Sequence, residues 1–273
     1  MKIVVIGGSG RIGRRVAGAL AARGCDVVAA CSSSGVDVFT GAGLSRVLNN
    51  ANVVVDCSDS PTVEGAPNFF ARATQNLLAE EESAGISHHV LLSIVGLERL
   101  LDGVYFRAKK IQEEFVGGSG IPFTILRSTQ FFDFISGVVQ EGSVRQIPIA
   151  PALVQPIAAD DVAQFLAKAA LDWPINTAIE TAGPEQFRLD DLAAEMSTLW
   201  EDLRSVVTDR RARYFGVELG ERTLLPGPDA RIGPTRFDDW LRSTLQPAIA
   251  ALKPLTVALP TAAGEPLRVR LPE

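Results

Sequence analysis

A tyrosine and a lysine four residues apart have the types and spacing needed to move a proton. The segment Tyr105-Phe-Arg-Ala-Lys109 fits a helix, on which residues four apart share one face. A free tyrosine has a pKa of about 10 and is a poor base at neutral pH, but a nearby ammonium group favours the phenolate. Ser93, which ends a predicted strand, can hold a substrate oxygen in line. These three side chains are predicted to serve carbonyl chemistry, in which a hydride is added and a proton is delivered to the alkoxide.

A glycine-rich turn near the start of the chain is suited to binding a dinucleotide. The β-branched run Ile3–Ile6 predicts a buried strand, and a helical pattern that ends at Gly24 follows the turn. Gly8-x-Gly10-x-x-Gly13 and Gly7-x-x-Gly10-x-x-Gly13 both fit the turn. Helix N–H groups and the helix dipole attract the pyrophosphate there. The residues predicted to hold it are Gly7, Gly8, Ser9, Gly10, Arg11, Ile12 and Gly13.

The end of the second predicted strand, Asp26–Ala30, favours NADP over NAD. An NAD site commonly has an acidic residue at this point, but the sequence here is Cys31-Ser-Ser-Ser-Gly35. Three hydroxyls suit a 2′-phosphate, and Arg11 or Arg14 could supply a positive charge. The alternative is an ordinary polar loop. The predicted ligands are Ser32, Ser33 and Ser34, together with Cys57 and Ser58 after a later strand.

Strands and helices alternate along the chain, which predicts an α/β fold of the Rossmann type, a doubly wound parallel sheet with a smaller C-terminal substrate-binding lobe. The further predicted strands are Val36–Phe39, Asn52–Asp56, His89–Ile94 and Pro122–Arg127. The dinucleotide-binding core is assigned to residues 1–127, with 153–182 returning to it. Residues 128–152 and 183–273 are assigned to the substrate lobe.

Aromatic residues beyond the sixth strand are candidates for a substrate pocket. Phe131, Phe132 and Phe134 follow the carboxyl end of that strand, beside the expected nicotinamide position. An equally good interpretation is that they anchor a loop to the core. Tyr214 is a further candidate for substrate contact. Asp160 and Asp161 are better explained as helix-capping residues than as a catalytic pair.

Composition excludes several classes of protein. The 273-residue chain has a net charge of −6, which argues against a nucleic-acid surface. No apolar stretch is long enough for a signal peptide or a membrane span. The three cysteines lack metal-ligand spacing and suit a reducing cytoplasm. Adjacent His88 and His89 point to opposite faces of a strand, which makes a shared metal site a poor interpretation. We expect a cytoplasmic monomer or homodimer.

The sequence resembles the short-chain dehydrogenase/reductase superfamily, and within it the atypical NmrA-like, NAD(P)H-binding branch. The resemblance covers about residues 1–200. It is carried by residues 7–13, 76–80, 92–96, 105–109, 120–127, 156–163 and 182–185. It implies that Ser93, Tyr105 and Lys109 form a catalytic triad and that Lys109 also touches the nicotinamide ribose. Asn76 is a loose match to the asparagine that completes a tetrad in many members.

The predicted function is that of an NADP-dependent oxidoreductase acting on a carbonyl or quinone-like small molecule. Many NmrA-like members lack the tyrosine and act as redox-sensing binders, whereas this sequence retains it. Two alternatives stay open at this stage. One is a non-catalytic NADP(H) sensor, and the other is an epimerase or dehydratase that uses the cofactor transiently.

Overall fold

A seven-stranded parallel sheet forms the centre of the molecule. The computed structural model describes residues 1–135, 146–199, 204–251, 258–260 and 266–268. The strands of the sheet are β1 Lys2–Ile6, β2 Asp26–Ala30, β3 Val53–Asp56, β4 His88–Ile94, β5 Phe123–Ser128, β8 Thr177–Ala182 and β13 Arg231–Ile232. Their order across the sheet is β13-β8-β5-β4-β3-β1-β2. Every neighbouring pair is parallel. The doubly wound Rossmann-type fold is therefore confirmed.

Helices cover both faces of the sheet, as the apolar strands require. They are α1 Gly13–Ala21, α2 Leu44–Leu48, α3 Ala66–Ala84, α4 Val104–Gly118 and α5 Ala159–Leu171. Two further helices, α6 Leu189–Leu199 and α7 Phe237–Ala251, follow later in the chain. Alternate residues of β1 face opposite cores. Ile3 and Val5 pack with α1 and α5, whereas Val4 and Ile6 pack with α2 and α3. β1 is therefore buried on both faces, and the glycine turn begins at its carboxyl end.

The predicted strand Val36–Phe39 is wrong, because this segment folds into a tight turn. The carboxylate of Asp37 accepts a hydrogen bond from the Phe39 amide at 2.8 Å. The Asp37 carbonyl accepts another from Gly41. Asn76 on α3 then donates from its amide nitrogen to the carbonyls of Val38 and Phe39 at 3.1 and 2.9 Å. An aspartate side chain that bonds to nearby backbone amides competes with strand formation.

Among the described residues, eight short strands pair outside the central sheet. They are β6 Gln146–Ile149, β7 Leu153–Val154, β9 Phe187–Arg188, β10 Ser205–Thr208, β11 Arg213–Tyr214, β12 Val217–Glu218, β14 Ala258–Pro260 and β15 Pro266–Arg268. Of these, β11 and β12 form a hairpin closed by Phe215 and Gly216, whose φ angles are +49° and +82°. Positive φ at both central residues is the signature of a type I′ turn, where asparagine or glycine is the usual first residue.

The chain divides into two compact units, residues 1–236 and 237–273. This boundary does not coincide with the predicted division between a cofactor core and a substrate lobe, which stays a prediction. Residues 136–145, 200–203 and most of the tail after Pro254, all assigned to that lobe, lie outside the described residues.

Two acidic residues at the start of α5 make tertiary contacts rather than cap the helix. Ala158 occupies the cap position, and no side chain caps the helix. Asp161 accepts hydrogen bonds from the amide and the hydroxyl of Thr235, both at 2.9 Å. Asp160 forms an ion pair with Arg15 at 2.9 Å. The capping interpretation is therefore replaced by one in which these carboxylates hold other segments against α5.

Candidate active site

The glycine turn between β1 and α1 is shaped by close backbone approaches. Gly7 has a φ of +70°, and a Cβ there would lie 2.6 Å from the Cys57 carbonyl oxygen. At Gly13 a Cβ would lie 2.2 Å from the Gly7 oxygen, and at Gly8 it would lie 2.7 Å from Ala29. Side chains are thus excluded, and the free N–H groups at the start of α1 face the turn. The cradle fits the pyrophosphate of a dinucleotide.

The serine loop after β2 forms a single 3₁₀ turn, Ser32–Ser34, that is closed by its own hydrogen bonds. The Ser34 hydroxyl donates to the Cys31 carbonyl at 2.8 Å. The Cys31 sulfur lies 3.0 Å from the Ser33 hydroxyl. Hydrogen bonds from Ser33 and then Ser9 lower the pKa of the Cys31 thiol to about 6. The loop therefore places a readily ionised thiol where an NAD site commonly carries a carboxylate.

An arginine that sequence reasoning did not identify lies against this loop. Arg46 on α2 donates to the Ser34 carbonyl at 3.4 Å. It follows Ser34 by twelve residues, and its approach depends on how the intervening turn folds. Arg11 and Arg14, the predicted sources of positive charge, are exposed at the glycine turn. Arg46 is thus the guanidinium bonded to the serine loop.

The hydroxyl of Tyr105 donates to Asp59 Oδ1 at 2.9 Å. Tyr105 is half-buried in the first turn of α4, whereas Asp59 is exposed on the loop after β3. Burial raises the pKa of Tyr105, and the charge and hydrogen bond of Asp59 raise it further. The prediction that this pKa is lowered is therefore wrong for the structure described. Tyr105 holds its proton at neutral pH.

Lys109 lies on the same helix but bonds inward. Its Nζ donates to the Leu92 carbonyl at 2.9 Å and to Gln112 Oε1 at 2.6 Å. Gln112 donates in turn to Asp56 Oδ2 at 3.0 Å. Burial lowers the pKa of Lys109, and the charge of Asp56 opposes that shift. The ammonium also lies 4.8 Å from the centre of the Phe70 ring, within reach of a cation–π attraction.

Ser93 is 3% exposed near the carboxyl end of β4, and its Oγ has no hydrogen-bond partner within the described part of the chain. A buried hydroxyl without a partner is unusual in a native fold. The hydroxyl is thus available to a ligand. No hydrogen bond joins Ser93, Tyr105 and Lys109 to one another among the described residues, so the triad stays a prediction.

Aromatic rings surround the Tyr105 ring. Phe215, at the tip of the β11–β12 hairpin, stacks on it with ring centres 5.9 Å apart. Phe70 and Phe106 meet it edge to face at 5.9 and 5.7 Å. A Cβ at Gly103, just before α4, would lie 3.1 Å from the Phe215 carbonyl oxygen. The hairpin thus packs closely on the turn of helix that carries Tyr105.

The predicted substrate residues separate into two groups. Phe134 and Tyr214 line a cavity, and their rings meet edge to face at 6.3 Å. Phe132 is fully buried, and Phe131 packs against the core between the sheet and helices α1 and α5. The loop-anchoring interpretation therefore fits Phe131 and Phe132, and substrate contact by Phe134 and Tyr214 stays a prediction.

Asn76 does not fit the tetrad role implied by the resemblance. Both bonds of its amide nitrogen go to carbonyls in the turn at residues 37–41, as described above. The partner of Lys109 is instead Gln112, three residues along α4. Helical spacing could have identified Gln112. Asp59 carried a weaker signal, its place at the carboxyl end of a strand.

Fold and site together define a short-chain dehydrogenase/reductase-type NAD(P)-binding protein. A family model described as NAD(P)H-binding matches residues 7–172, and the chain belongs to that family. The match spans the glycine turn, the serine loop and the helix that carries Tyr105 and Lys109. The resemblance noted from the motifs is thereby confirmed at the level of the superfamily, and the NmrA-like branch is compatible with it.

Two curated proteins are similar in sequence. A (4-alkanoyl-5-oxo-2,5-dihydrofuran-3-yl)methyl phosphate reductase from Streptomyces griseus is 26% identical over 287 residues, which cover 97% of this chain and 94% of that protein. A chloroplastic divinyl chlorophyllide a 8-vinyl-reductase from Cucumis sativus is 29% identical over 222 residues. That match covers 67% of this chain, which spans only 52% of the plant protein.

Solved structures share the fold at low sequence identity. A Thermus thermophilus UDP-glucose 4-epimerase complex with NAD matches with a TM-score of 0.66 and 15% identity, covering 92% of this chain and all of that one. An Escherichia coli quinone oxidoreductase complexed with NADPH matches with a TM-score of 0.57 and 19% identity, covering 76% and 77%. NAD and NADP are both found on this fold.

Metal ligands and membrane-spanning helices are both absent from the part of the chain that the structure describes. No group of three or more histidine, cysteine or acidic side chains there could hold a metal ion. No helix among the described residues is both long enough and apolar enough to cross a membrane. His88 and His89 have separate partners, Thr124 and Glu81, each at 2.9 Å.

Proposed function

We propose that the protein is an NADP-preferring reductase that transfers a hydride to a carbonyl or quinone-like small molecule, with Tyr105 as the proton donor. The observation that carries this proposal is the half-buried Tyr105 phenol, one helical turn from Lys109 and bonded to the loop that follows β3. The similarity to a (4-alkanoyl-5-oxo-2,5-dihydrofuran-3-yl)methyl phosphate reductase along 97% of the chain supports the reductase part of this proposal. A small-molecule substrate and a cytoplasmic location are part of the proposal.

The chemistry follows from the proton that Tyr105 retains. Reduction of a carbonyl creates an alkoxide, which must accept a proton as it forms. Because burial and Asp59 raise the pKa of Tyr105, the phenol stays protonated at neutral pH and can donate. The unpartnered hydroxyl of Ser93 can donate a second hydrogen bond and hold the reacting oxygen in place. The nicotinamide, when bound, supplies the hydride.

The residues that would hold the cofactor are those of the glycine turn and the serine loop. The turn excludes side chains and presents helix N–H groups to a pyrophosphate. Lys109 would hold the nicotinamide ribose, as the resemblance implies. This lysine must then release its bond to Gln112 or share it with a ribose hydroxyl.

The preference for NADP rests on Arg46 and the three serines. A guanidinium is well suited to a phosphate dianion because it offers several N–H donors in a plane. Arg46 already contacts the loop through Ser34, so a 2′-phosphate bound there would lie within its reach. Arg46→Met should weaken NADPH binding by about tenfold or more, roughly 1.4 kcal/mol, and leave NADH binding unchanged. Parallel titrations of Arg11→Met and Arg14→Met decide among the three arginines.

Turnover with a panel of carbonyls and quinones tests the proposed function directly. We expect loss of NADPH absorbance with at least one substrate and a decrease of about 10²- to 10⁴-fold in Tyr105→Phe. Cofactor titration should be unchanged by that substitution. Ser83→Ala is the control, because it removes an exposed hydroxyl on α3 that donates to the Ala79 carbonyl of the same helix. Equal rates for Tyr105→Phe and the unchanged protein would contradict the assigned role.

A redox-sensing binder is the second candidate. The observation in its favour is that the Tyr105 hydroxyl is occupied by Asp59 and the ring is stacked by Phe215. A sensor would bind NADPH with normal affinity, reduce none of the panel and be unaffected by Tyr105→Phe. An epimerase or dehydratase would instead form product without net loss of NADPH.

A further inference from the structure

An apolar cavity lies beside the aromatic rings that cover Tyr105. Its volume is about 120 Å³. It is lined by four segments: the chain after β5, strand β6, helix α6 and the β11–β12 hairpin. Its lining includes Phe134, Ile147, Ile149, Leu189, Ala193 and Tyr214. Ligand pockets are lined mainly by apolar and aromatic side chains with a few polar groups, and this cavity has that composition.

The cavity adjoins the candidate active site through one ring. Phe215 stacks on Tyr105 at 5.9 Å and on Phe134 at 5.7 Å. Phe134 is in turn a wall of the cavity. The positive φ of Phe215 is a conformation that a bulky residue seldom adopts, and such outliers cluster at functional sites. A molecule that reaches from the Tyr105 hydroxyl into the cavity would pack along the Phe215 ring.

One buried polar atom in the cavity wall, Oε1 of Gln130, has no hydrogen-bond partner among the described residues. Gln130 is 7% exposed, and its Oε1 accepts no hydrogen bond from any described residue. Its side chain is also hydrogen-bonded to the Tyr214 hydroxyl, so the amide is held in place while one acceptor stays unused. A buried acceptor is normally satisfied by protein or by a ligand. The wall is therefore mainly apolar, with Gln130, Arg213 and Tyr214 as its polar residues.

We propose that this cavity binds the apolar tail of the substrate, a short unbranched alkyl or small aryl group next to a hydrogen-bond donor. A dry cavity of about 150 Å³ lined by leucine, isoleucine and phenylalanine binds benzene, so about 120 Å³ suits a group of similar or slightly smaller size. The Gln130 acceptor selects tails with a hydroxyl. The proposal extends the proposed function by naming the substrate class, and it rests on that function.

Direct binding tests the cavity without any turnover. Benzyl alcohol and toluene are titrated into the protein without cofactor, and binding is followed by protein NMR. We expect both to bind, with benzyl alcohol about three- to tenfold tighter because its hydroxyl satisfies Gln130. Ala193→Leu, which fills the cavity from α6, should weaken both by tenfold or more. Ala194→Leu adds the same group at the exposed neighbouring position and should change nothing.

A series of 2-alkanones then tests the link to catalysis. Each added methylene should raise kcat/KM about fourfold until the cavity is full. In Ala193→Leu the series should be flat, and in Ala194→Leu it should match the unchanged protein. If Ala193→Leu does not fold, Ile149→Val enlarges the cavity instead and should shift the best chain length upward.

The outcomes separate this proposal from the proposed function. If benzyl alcohol and toluene bind equally well to the unchanged protein and to Ala193→Leu, the cavity proposal is overturned. A flat alkanone series in the unchanged protein also overturns it. If the probes bind as expected but no carbonyl is reduced with either cofactor, the cavity stands as an apolar ligand site. In that case the reductase assignment is what fails.

Discussion

The Tyr105 hydroxyl donates to Asp59 Oδ1 at 2.9 Å, which joins a half-buried phenol to an exposed carboxylate 46 residues away in sequence. The contact places a negative charge where a tyrosine base would need a positive one. It therefore favours the protonated phenol, the form needed for reduction. In the oxidation direction Tyr105 must lose its proton, and Asp59 opposes that loss.

Removal of the Asp59 charge should make Tyr105 a better base. In Asp59→Asn the pKa of Tyr105 falls, so its pH profile for alcohol oxidation moves to lower pH. We expect the rate at neutral pH to rise about fivefold, the equivalent of about 1 kcal/mol for a charge pair facing water. Asp102→Asn removes an exposed charge just before the same helix, with no contact to Tyr105. Identical profiles for the two variants would show that Asp59 does not act on the phenol.

Glycines of the cofactor turn should differ sharply from a glycine on the surface of α1. Gly13→Ala forces a Cβ to 2.2 Å from the Gly7 oxygen, so we expect a loss of about 1–3 kcal/mol in unfolding free energy and loss of NADPH binding. A Cβ at Gly18 would meet no atom within 4 Å, so Gly18→Ala should raise the unfolding free energy by about 1 kcal/mol. Urea unfolding and fluorescence titration measure both effects. Normal NADPH binding by Gly13→Ala would contradict the assigned cradle.

Cys31 should make the preference for NADPH depend on pH. Its pKa is lowered to about 6 by Ser33 and Ser9, so the thiolate forms as the pH rises through that value. A negative sulfur repels a 2′-phosphate, and the ratio of NADPH to NADH affinity should fall about fivefold relative to Cys31→Ser between pH 5 and pH 7. The serine variant also corrects for titration of the phosphate itself. Parallel curves for the two proteins would rule out a thiolate at this site.

His88 should weaken the fold in mild acid. Burial lowers its pKa to about 4 from an unperturbed value of 6.5. The unfolded chain therefore takes up a proton that the folded protein refuses, and the unfolding free energy falls as pH drops from 6.5 towards 4. Urea titrations should show a smaller decrease in His88→Asn. Thr124→Val removes the hydrogen-bond partner but keeps the histidine, so the pH dependence should persist in that variant.

Local patterns in the sequence predicted the parts of the site that a single segment builds. The run Ile3–Ile6, the glycine turn and α1 follow one another along the chain, and each has a local signature. Tyr105 and Lys109 were placed on one helix for the same reason. The hydrogen-bond partners of these two side chains could not be predicted in the same way, because they lie on other segments. Lys109, for example, donates to the Leu92 carbonyl of β4.

Contacts between distant segments could not be predicted. The bond from Arg46 to the serine loop depends on a turn at residues 37–41 that looked like a strand, because Val36 and Val38 have strong strand propensity. The cavity depends on four segments that meet only in the folded chain. Hydrophobic periodicity describes one helix or strand at a time and does not indicate which distant segments contact each other in the folded chain.

At the hairpin turn formed by Phe215 and Gly216, the residue type that the backbone favours differs from the one that the neighbouring aromatic rings need. Asparagine would suit the first position of this turn far better than phenylalanine, so an effort to raise heat resistance would select Phe215→Asn. That exchange would remove the ring that stacks on both Tyr105 and Phe134. If the proposed cavity sets substrate selectivity, thermal robustness and selectivity compete at Phe215, and variants selected for one property are expected to lose the other.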